Sequence, residues 1–247
     1  MERNYRFEIC ANSVESCLAA QQGGADRVEL CASIPEGGTT PSYGEMLVAR
    51  RLLTIRLHAI IRPRGGDFLY NAHEAATMIA DIQAARQAGV DGVVVGCLTA
   101  EGDIDLPLLD RLLDEAKGLS VTFHRAFDSC RNPFAALELL ATRGVDRILT
   151  SGQQPTAPEG APLLRQLVEA AANRITILAG CGVNETNIRS LAQTTGVTEF
   201  HFSAREPVAS AMKVRNAAVK MGNKDMDEYM RMVTTAHRVR ETIAQLS

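Results

Sequence analysis

"GADRVELC" (residues 24–31) is the first copy of a pattern that occurs four times along the chain. Each copy begins with a glycine suited to the end of a helix, and a short turn and an apolar strand follow it. Successive copies are about twice as far apart as one βα unit is long, so another strand and helix should lie between them. The later copies are "GVDGVVVG" (89–96), "GVDRILTS" (144–151) and "GVTEFHFS" (196–203).

Four further strand-like segments occupy the predicted places: "RFEIC" (6–10), "IRLHAIIRP" (55–63), "SVTFHRAF" (120–127) and "RITILAG" (174–180). Eight alternating strands and helices without a break in composition predict an α/β protein, a single (β/α)8 TIM barrel spanning residues 1–247 as one domain. An amphipathic pattern over residues 225–246 predicts an additional C-terminal helix. A doubly wound sheet is the alternative, although "CANSVES" (10–16) lacks its glycine-rich turn.

The composition excludes several classes of function. The net charge is −3, and the chain has no Trp, 4 Tyr and 7 Phe, so we expect no nucleic-acid binding. The N-terminus "MERNYRFEIC" is charged and unlike a signal peptide, and no apolar run is long enough to span a membrane. We therefore expect a cytoplasmic protein whose six cysteines are reduced.

Alternation within the first copy predicts which side chains face the barrel interior. Val28 and Leu30 should face the helices, so Glu29 and Cys31 should point inward. Barrel interiors are normally filled with branched apolar side chains, and burying an unpaired charge is costly. The inward groups therefore form either a structural network, with Glu8 and Glu29 near Arg62 and His58, or a polar site at the mouth, which we favour. The same parity places further polar side chains inside: Glu8, Cys10, His58, Arg62, Thr122, His124, His201 and Ser203.

Two of these inward residues, Cys10 and Cys31, end neighbouring parallel strands at nearly the same height. Adjacent strands lie about 4.8 Å apart, so the two thiolates are close enough to bind one soft ion. Two thiolates with few other ligands suit Cu(I) better than Zn(II), which prefers four ligands. The alternative is a pair of ordinary buried cysteines.

Cationic and glycine-rich segments at the same rim predict an anion site. "RPRGGDF" (62–68) supplies Arg62 and Arg64 in a flexible loop, and "KVRN" (213–216) supplies Lys213 and Arg215. Gly180 and Gly182 precede a helix predicted to begin at Asn184, whose first N–H groups should face the ligand.

This anion site supports a second hypothesis, a metal-independent enzyme acting on a small phosphate- or carboxylate-bearing metabolite. Glu29 and His124 would transfer protons, and Glu8 and His201 would orient them. No organic cofactor is predicted.

The residues above resemble the copper homeostasis protein CutC family. The similar stretches are "GADRVELC", "EGGTTPS", "IRPRGGDF", "VTFHRAFD", "LTSG" and "KVRN". The resemblance implies a TIM barrel, a cytoplasmic location, a homodimer or larger homo-oligomer, and copper handling through Cu(I) binding. The thiols implicated in the family end the first two strands, which corresponds to Cys10 and Cys31 here.

Overall fold

The computed structural model describes residues 5–216, 218–219 and 227–246. Eight parallel strands follow one another around a closed barrel, and the last strand pairs with the first. The predicted (β/α)8 barrel is therefore confirmed. The strands are β1 (Arg6–Ala11), β2 (Arg27–Leu30), β3 (Arg56–Ile60), β4 (Gly92–Val95), β5 (Ser120–Phe123), β6 (Arg147–Thr150), β7 (Thr176–Gly180) and β8 (Glu199–Phe202).

In the described residues, α-helices surround the barrel, seven of them between consecutive strands and one after β8. The last helix packs against the first and closes the ring. The C-terminal helix was predicted as an addition to the barrel. In the described part of the chain it is instead the eighth helix of the ring. The helices are α1 (Val14–Gly23), α2 (Tyr43–Leu52), α3 (Ala72–Ala88), α4 (Leu106–Glu115), α5 (Pro133–Thr142), α6 (Ala161–Ala171), α7 (Ile188–Thr195) and α8 (Ala236–Ala244).

The prediction of a continuous helix over residues 225–246 is wrong in its first half. Strand β9 (Arg205–Ala209) pairs antiparallel with β10 (Met230–Thr234), and α8 begins only after this hairpin. β-branched residues occur at the end of β10, where strand geometry suits them better than a helix does. Thr235 then caps α8 by accepting a hydrogen bond from the Arg238 N–H. Met226, part of the predicted helix, lies outside the described residues.

The helix predicted to begin at Asn184 also begins later. Asn187 is the N-cap residue of α7. The Asn184 side chain instead accepts a hydrogen bond from the Thr186 N–H at 2.9 Å and stabilises a turn before the helix.

The predicted strand parity is confirmed. Val28 and Leu30 belong to the core between strands and helices, whereas Cys31 packs against Ile60 and Val94 inside the barrel. The polar interior thus has a defined upper part, which opens at the mouth, and a lower part toward the N-terminal ends of the strands.

The lower part is a charged network. Arg27 pairs with Glu8 and, at 2.8 Å, with Glu199, and Arg147 lies 3.3 Å from Glu199. Gly92 gives His58 its space, since a Cβ there would lie 2.6 Å from His58 Nε2. The fourth residue of each of the four repeat copies lies in this lower part: Arg27, Gly92, Arg147 and Glu199. The structural partner of Glu8 is therefore Arg27 rather than Arg62.

Candidate functional site

Three potential metal ligands converge in the upper part of the barrel. One ligand atom from each of Cys10, Glu29 and Cys31 lies within 4.8 Å of the others. The two sulfur atoms are 3.9 Å apart. Strands β1 and β2 hold the two thiols there. Cys10 pairs in register with Glu29 on the neighbouring strand, and Cys31 lies two residues beyond Glu29 on the same side. The predicted proximity of the two thiols is confirmed.

The two thiols have opposite protonation preferences. A hydrogen bond from Cys31 lowers the pKa of Cys10 well below its usual value against the effect of burial, and His201 and Arg205 lower it further. Arg205 Nη2 lies 3.2 Å from Cys10 Sγ. The pKa of Cys31 is raised well above its usual value by this same hydrogen bond and by burial. The surroundings of the pair therefore favour the thiolate at Cys10 and the thiol at Cys31.

His201 lies between two carboxyl groups. Its Nδ1 is 2.7 Å from Glu8 and its Nε2 is 3.6 Å from Glu29. Burial disfavours the charged ring, but hydrogen bonds to Cys10 and Glu8 and the nearby carboxyl groups raise the pKa of His201 well above its usual value. The mouth therefore holds an imidazolium next to the Cys10 thiolate.

The pKa values of the two carboxyl groups, Glu8 and Glu29, differ because their neighbours differ. Burial tends to raise the pKa of Glu8, but Arg27 and His201 hold it well below its usual value. Burial raises the pKa of Glu29 to about 8 although His201 opposes this effect. At neutral pH Glu8 is therefore a carboxylate and Glu29 is mostly protonated.

His124 faces the same space from β5. Its Nδ1 accepts a hydrogen bond from the Ala126 N–H at 3.1 Å, so the neutral ring has its proton on Nε2. Burial, with the charge of Arg62, lowers the pKa of His124 to about 3. Gly96 provides the room for this ring, since a Cβ there would collide with it.

Two adjoining cavities open at the mouth. The larger has a volume of about 440 Å³ and the smaller about 210 Å³. Glu29, His124 and Arg62 line the smaller cavity. The larger cavity is lined by Gly182, Ser203 and three arginines, Arg125, Arg205 and Arg238. The two share Cys10, Gly37, Arg125 and His201.

The structure brings together only part of the predicted anion-binding set. Arg62 is buried in the wall of the smaller cavity and Gly182 lines the larger one. Gly180 ends β7 and packs against His201. The predicted flexible loop is instead well anchored, because Arg64 pairs with Asp67 at 2.9 Å and with Glu74 at 2.6 Å.

The remaining predicted cations do not reach the mouth. Lys213 and Arg215 are exposed, and Arg215 lies over the ring of Tyr229. In the described part of the chain, neither they nor Arg64 line either cavity. Arg215 and Arg64 have closer partners on their own loops, which the charge pattern alone did not reveal.

Sequence reasoning missed the three arginines of the larger cavity. Arg125 comes two residues after the end of β5 and Arg205 three residues after the end of β8, where a barrel carries its site, and this position was an available signal. Arg238 comes from α8 and reaches the mouth by donating to Glu185 at 3.0 Å and to the Arg205 carbonyl at 3.0 Å. No local pattern predicts this last contact.

These features define a class: a (β/α)8 barrel with a polar, thiol-containing site at the C-terminal ends of its strands. Residues 5–206 match the model of the CutC family. CutC family proteins of Bacteroides fragilis and Bacteroides thetaiotaomicron are 62% identical over 247 residues and 64% identical over 243 residues. The alignments cover 99% and 98% of this chain, respectively, and 98% of each relative. The chain belongs to the CutC family.

Solved structures agree with this assignment. The CutC structure from Streptococcus agalactiae, named for copper homeostasis, has a TM-score of 0.78 and 35% identity. The match covers 81% of this chain and 98% of the streptococcal chain. A thiamine phosphate pyrophosphorylase from Pyrococcus furiosus, with a TM-score of 0.59 and 16% identity, shares the fold alone.

Among the described residues no helix combines the length and hydropathy that a membrane span needs.

Proposed function

We propose that this chain binds Cu(I) between Cys10 and Cys31 and serves in copper homeostasis. The supporting observation is the 3.9 Å separation of the two sulfur atoms. Sulfurs bound to one ion at about 2.3 Å each lie at most about 4.6 Å apart, so one ion fits between them without a change of backbone. Soft thiolates favour Cu(I).

The donor set fits Cu(I) better than zinc. In the described part of the chain the cluster offers two sulfurs and one carboxyl oxygen, whereas a structural zinc site needs four ligands. Binding requires Cys31 to lose its proton, whereas the surroundings of Cys10 already favour its thiolate. The charges of His201 and Arg205 lie next to Cys10 and offset the negative charge of two thiolates.

The same proposal includes the cellular setting. Two unpaired thiols at the mouth persist in a reducing compartment, so we place the protein in the cytoplasm. We further expect a homodimer or larger homo-oligomer, in keeping with the family resemblance.

Cu(I) competition with a chromogenic chelator under anaerobic, reducing conditions tests the site. We expect about one Cu(I) per chain, much weaker zinc binding, and loss of the Cu(I) in a Cys10→Ser/Cys31→Ser variant. Cys181→Ser is the matched control, because Cys181 lines the larger cavity but lies outside the thiol pair. Full Cu(I) affinity in the double variant would show that the site is wrong.

A second candidate function is metal-independent acid/base catalysis on a small anionic metabolite. Glu29 and His124 both line the smaller cavity, and each has one polar atom, Oε1 and Nε2 respectively, without a hydrogen-bond partner. A carboxyl group with a pKa of about 8 is suited to giving and taking protons near pH 7, whereas the neutral His124 ring carries its proton on Nε2 and can donate a hydrogen bond to the substrate. Glu8 holds His201, and His201 Nε2 lies 3.6 Å from Glu29, so these two residues would orient Glu29.

Untargeted mass spectrometry of a cell metabolite extract tests this candidate. Wild-type protein should consume at least one small anionic metabolite, and Glu29→Gln should not. An extract left unchanged by the wild-type protein argues against an enzyme.

A further inference from the structure

Three buried polar atoms, each on a residue that lines the smaller cavity, have hydrogen bonds that the protein does not complete. They are Arg62 Nε, His124 Nε2 and Glu29 Oε1. Their residues are only 5%, 4% and 3% exposed. Leaving a buried polar atom without a partner is energetically costly, and such atoms are uncommon in native proteins. Three of them around one cavity indicate a ligand with complementary groups.

Arg62 gives this cavity a positive charge. Its terminal nitrogens donate to the carbonyl oxygens of Glu36, Gly38 and Gly66, each at 2.7 Å. These contacts fix the guanidinium plane but are all neutral, and no described carboxylate forms an ion pair with Arg62. Among the five N–H donors of this buried cation, the Nε–H is buried without a partner in the protein, which favours an anionic ligand at that position.

His124 supplies a second donor on the same side of the cavity. Its Nε2 has the ring proton, because Nδ1 accepts from Ala126. The Phe68 ring lies 5.2 Å from the Arg62 guanidinium and 5.1 Å from the His124 ring, so both donors adjoin one aromatic wall. Two N–H donors and one positive charge match the two oxygens of a carboxylate. A phosphate dianion has three oxygens to satisfy.

Glu29 presents a different chemistry next to the thiols. Its Oε2 faces His201 at 3.6 Å, whereas Oε1 has no partner. A ligand hydroxyl or amino group would satisfy Oε1. The volume of about 210 Å³ suits a ligand of a few carbon atoms within this cavity.

We propose that the smaller cavity binds a small hydroxy- or amino-carboxylate, with its carboxylate on Arg62 and His124 and its hydroxyl or amino group on Glu29. The inference rests on the second candidate function and names its substrate class. Ile60 and Leu149 provide apolar walls for the carbon skeleton.

Ligand-observed NMR on the full chain, free of copper, tests the ligand class. The probes are lactate, alanine and 3-hydroxybutyrate, with propionate and butyrate as matched compounds that lack the hydroxyl or amino group. At least one of the first three should bind fivefold or more tightly than its matched compound. Absence of binding by all three, or equal binding by the matched compounds, overturns the proposal.

Two substitutions of His124 separate ligand binding from folding. Asn places an amide oxygen where His124 Nδ1 accepts from the Ala126 N–H, but it has no donor at the position of Nε2. Gln places an amide N–H at the position of Nε2, but it has no acceptor for Ala126. His124→Asn should weaken binding of the preferred probe at least tenfold, and His124→Gln should weaken it less than threefold. Equal effects of the two variants contradict the assigned donor.

The outcomes also distinguish this inference from the functions proposed above. Both His124 variants should retain the Cu(I) affinity of the wild-type protein, which shows that the thiol pair is intact. Binding of a probe without consumption of any metabolite supports the site and rejects the enzyme. Consumption of a metabolite by a protein that binds none of the three probes rejects this inference alone.

Discussion

Individual histidines inside the barrel differ in charge because each ring meets different neighbours. His201 contacts two carboxyl groups, and its pKa is raised well above the usual value despite burial. His58 is fully buried, and burial lowers its pKa to about 3 against the effect of Glu8, with smaller contributions from Arg27 and Arg147 in the same direction as burial. One residue type therefore supplies a cation at the mouth and a neutral ring in the lower part.

His58 should make the fold sensitive to acid. Between pH 6.5 and pH 3 the unfolded chain binds a proton at this residue and the folded chain does not, so stability falls as the pH falls. His58→Gln removes this effect. Between pH 7 and pH 5 the free energy of unfolding of this variant should therefore fall by about 2 kcal/mol less than that of the wild-type protein. Urea unfolding at the two pH values measures the difference.

The control for this experiment is His237→Gln, since the His237 side chain is 71% exposed. This variant should show the same loss on acidification as the wild-type protein. An equal loss in wild type and His58→Gln would mean that His58 binds its proton in the folded state.

At the scale of elements, the first and last helices close the ring through one close approach. Gly23 ends α1, and a Cβ at this position would lie 2.5 Å from Val239 Cβ in α8. The hairpin that leads to α8 is also tied to the start of α1, because the Asn12 side chain donates to the Met232 carbonyl at 2.9 Å. The predicted C-terminal amphipathic pattern identified α8 but not this contact.

Gly23→Ala should destabilise the protein although alanine is the better helix former. Helix propensity alone predicts that the substitution raises the free energy of unfolding by about 1 kcal/mol. The added methyl group, however, overpacks the contact with Val239. We expect a net loss of about 1–3 kcal/mol in the free energy of unfolding, measured with urea. In a Gly23→Ala/Val239→Ala variant the total loss should be smaller than the sum of the single losses. A stabilised Gly23→Ala variant would contradict the contact.

For the whole molecule, the sequence repeat predicts the strands and their inward positions because both follow from short-range periodicity. The neighbours that meet across the barrel are harder to predict. Arg27 and Glu199 are far apart in sequence, and their 2.8 Å contact depends on how the strands close. The same limit explains why Arg238 was missed. Arg64 was assigned to the mouth for a different reason, since its charge was recognised but its nearby partners Asp67 and Glu74 were not.

Closure also divides the interior into a lower charged network and an upper ligand site, and this division is testable. Glu199 contacts both Arg27 and Arg147, so Glu199→Gln leaves two buried cations undercompensated. We expect a loss of about 3 kcal/mol in the free energy of unfolding, measured with urea. Cu(I) affinity of the folded variant should stay within threefold of wild type, because the thiols lie in the upper part.

Glu138→Gln is the matched control for this division. Glu138 pairs with Arg174 at 2.6 Å, but both side chains are about half exposed, so water compensates for the lost charge. The urea midpoint of this variant should be nearly that of the wild-type protein. Equal midpoints for the two variants would show that the lower network adds little to stability. A tenfold loss of Cu(I) affinity in Glu199→Gln would show instead that the network extends, through Glu8 and His201, to the thiolate at the mouth.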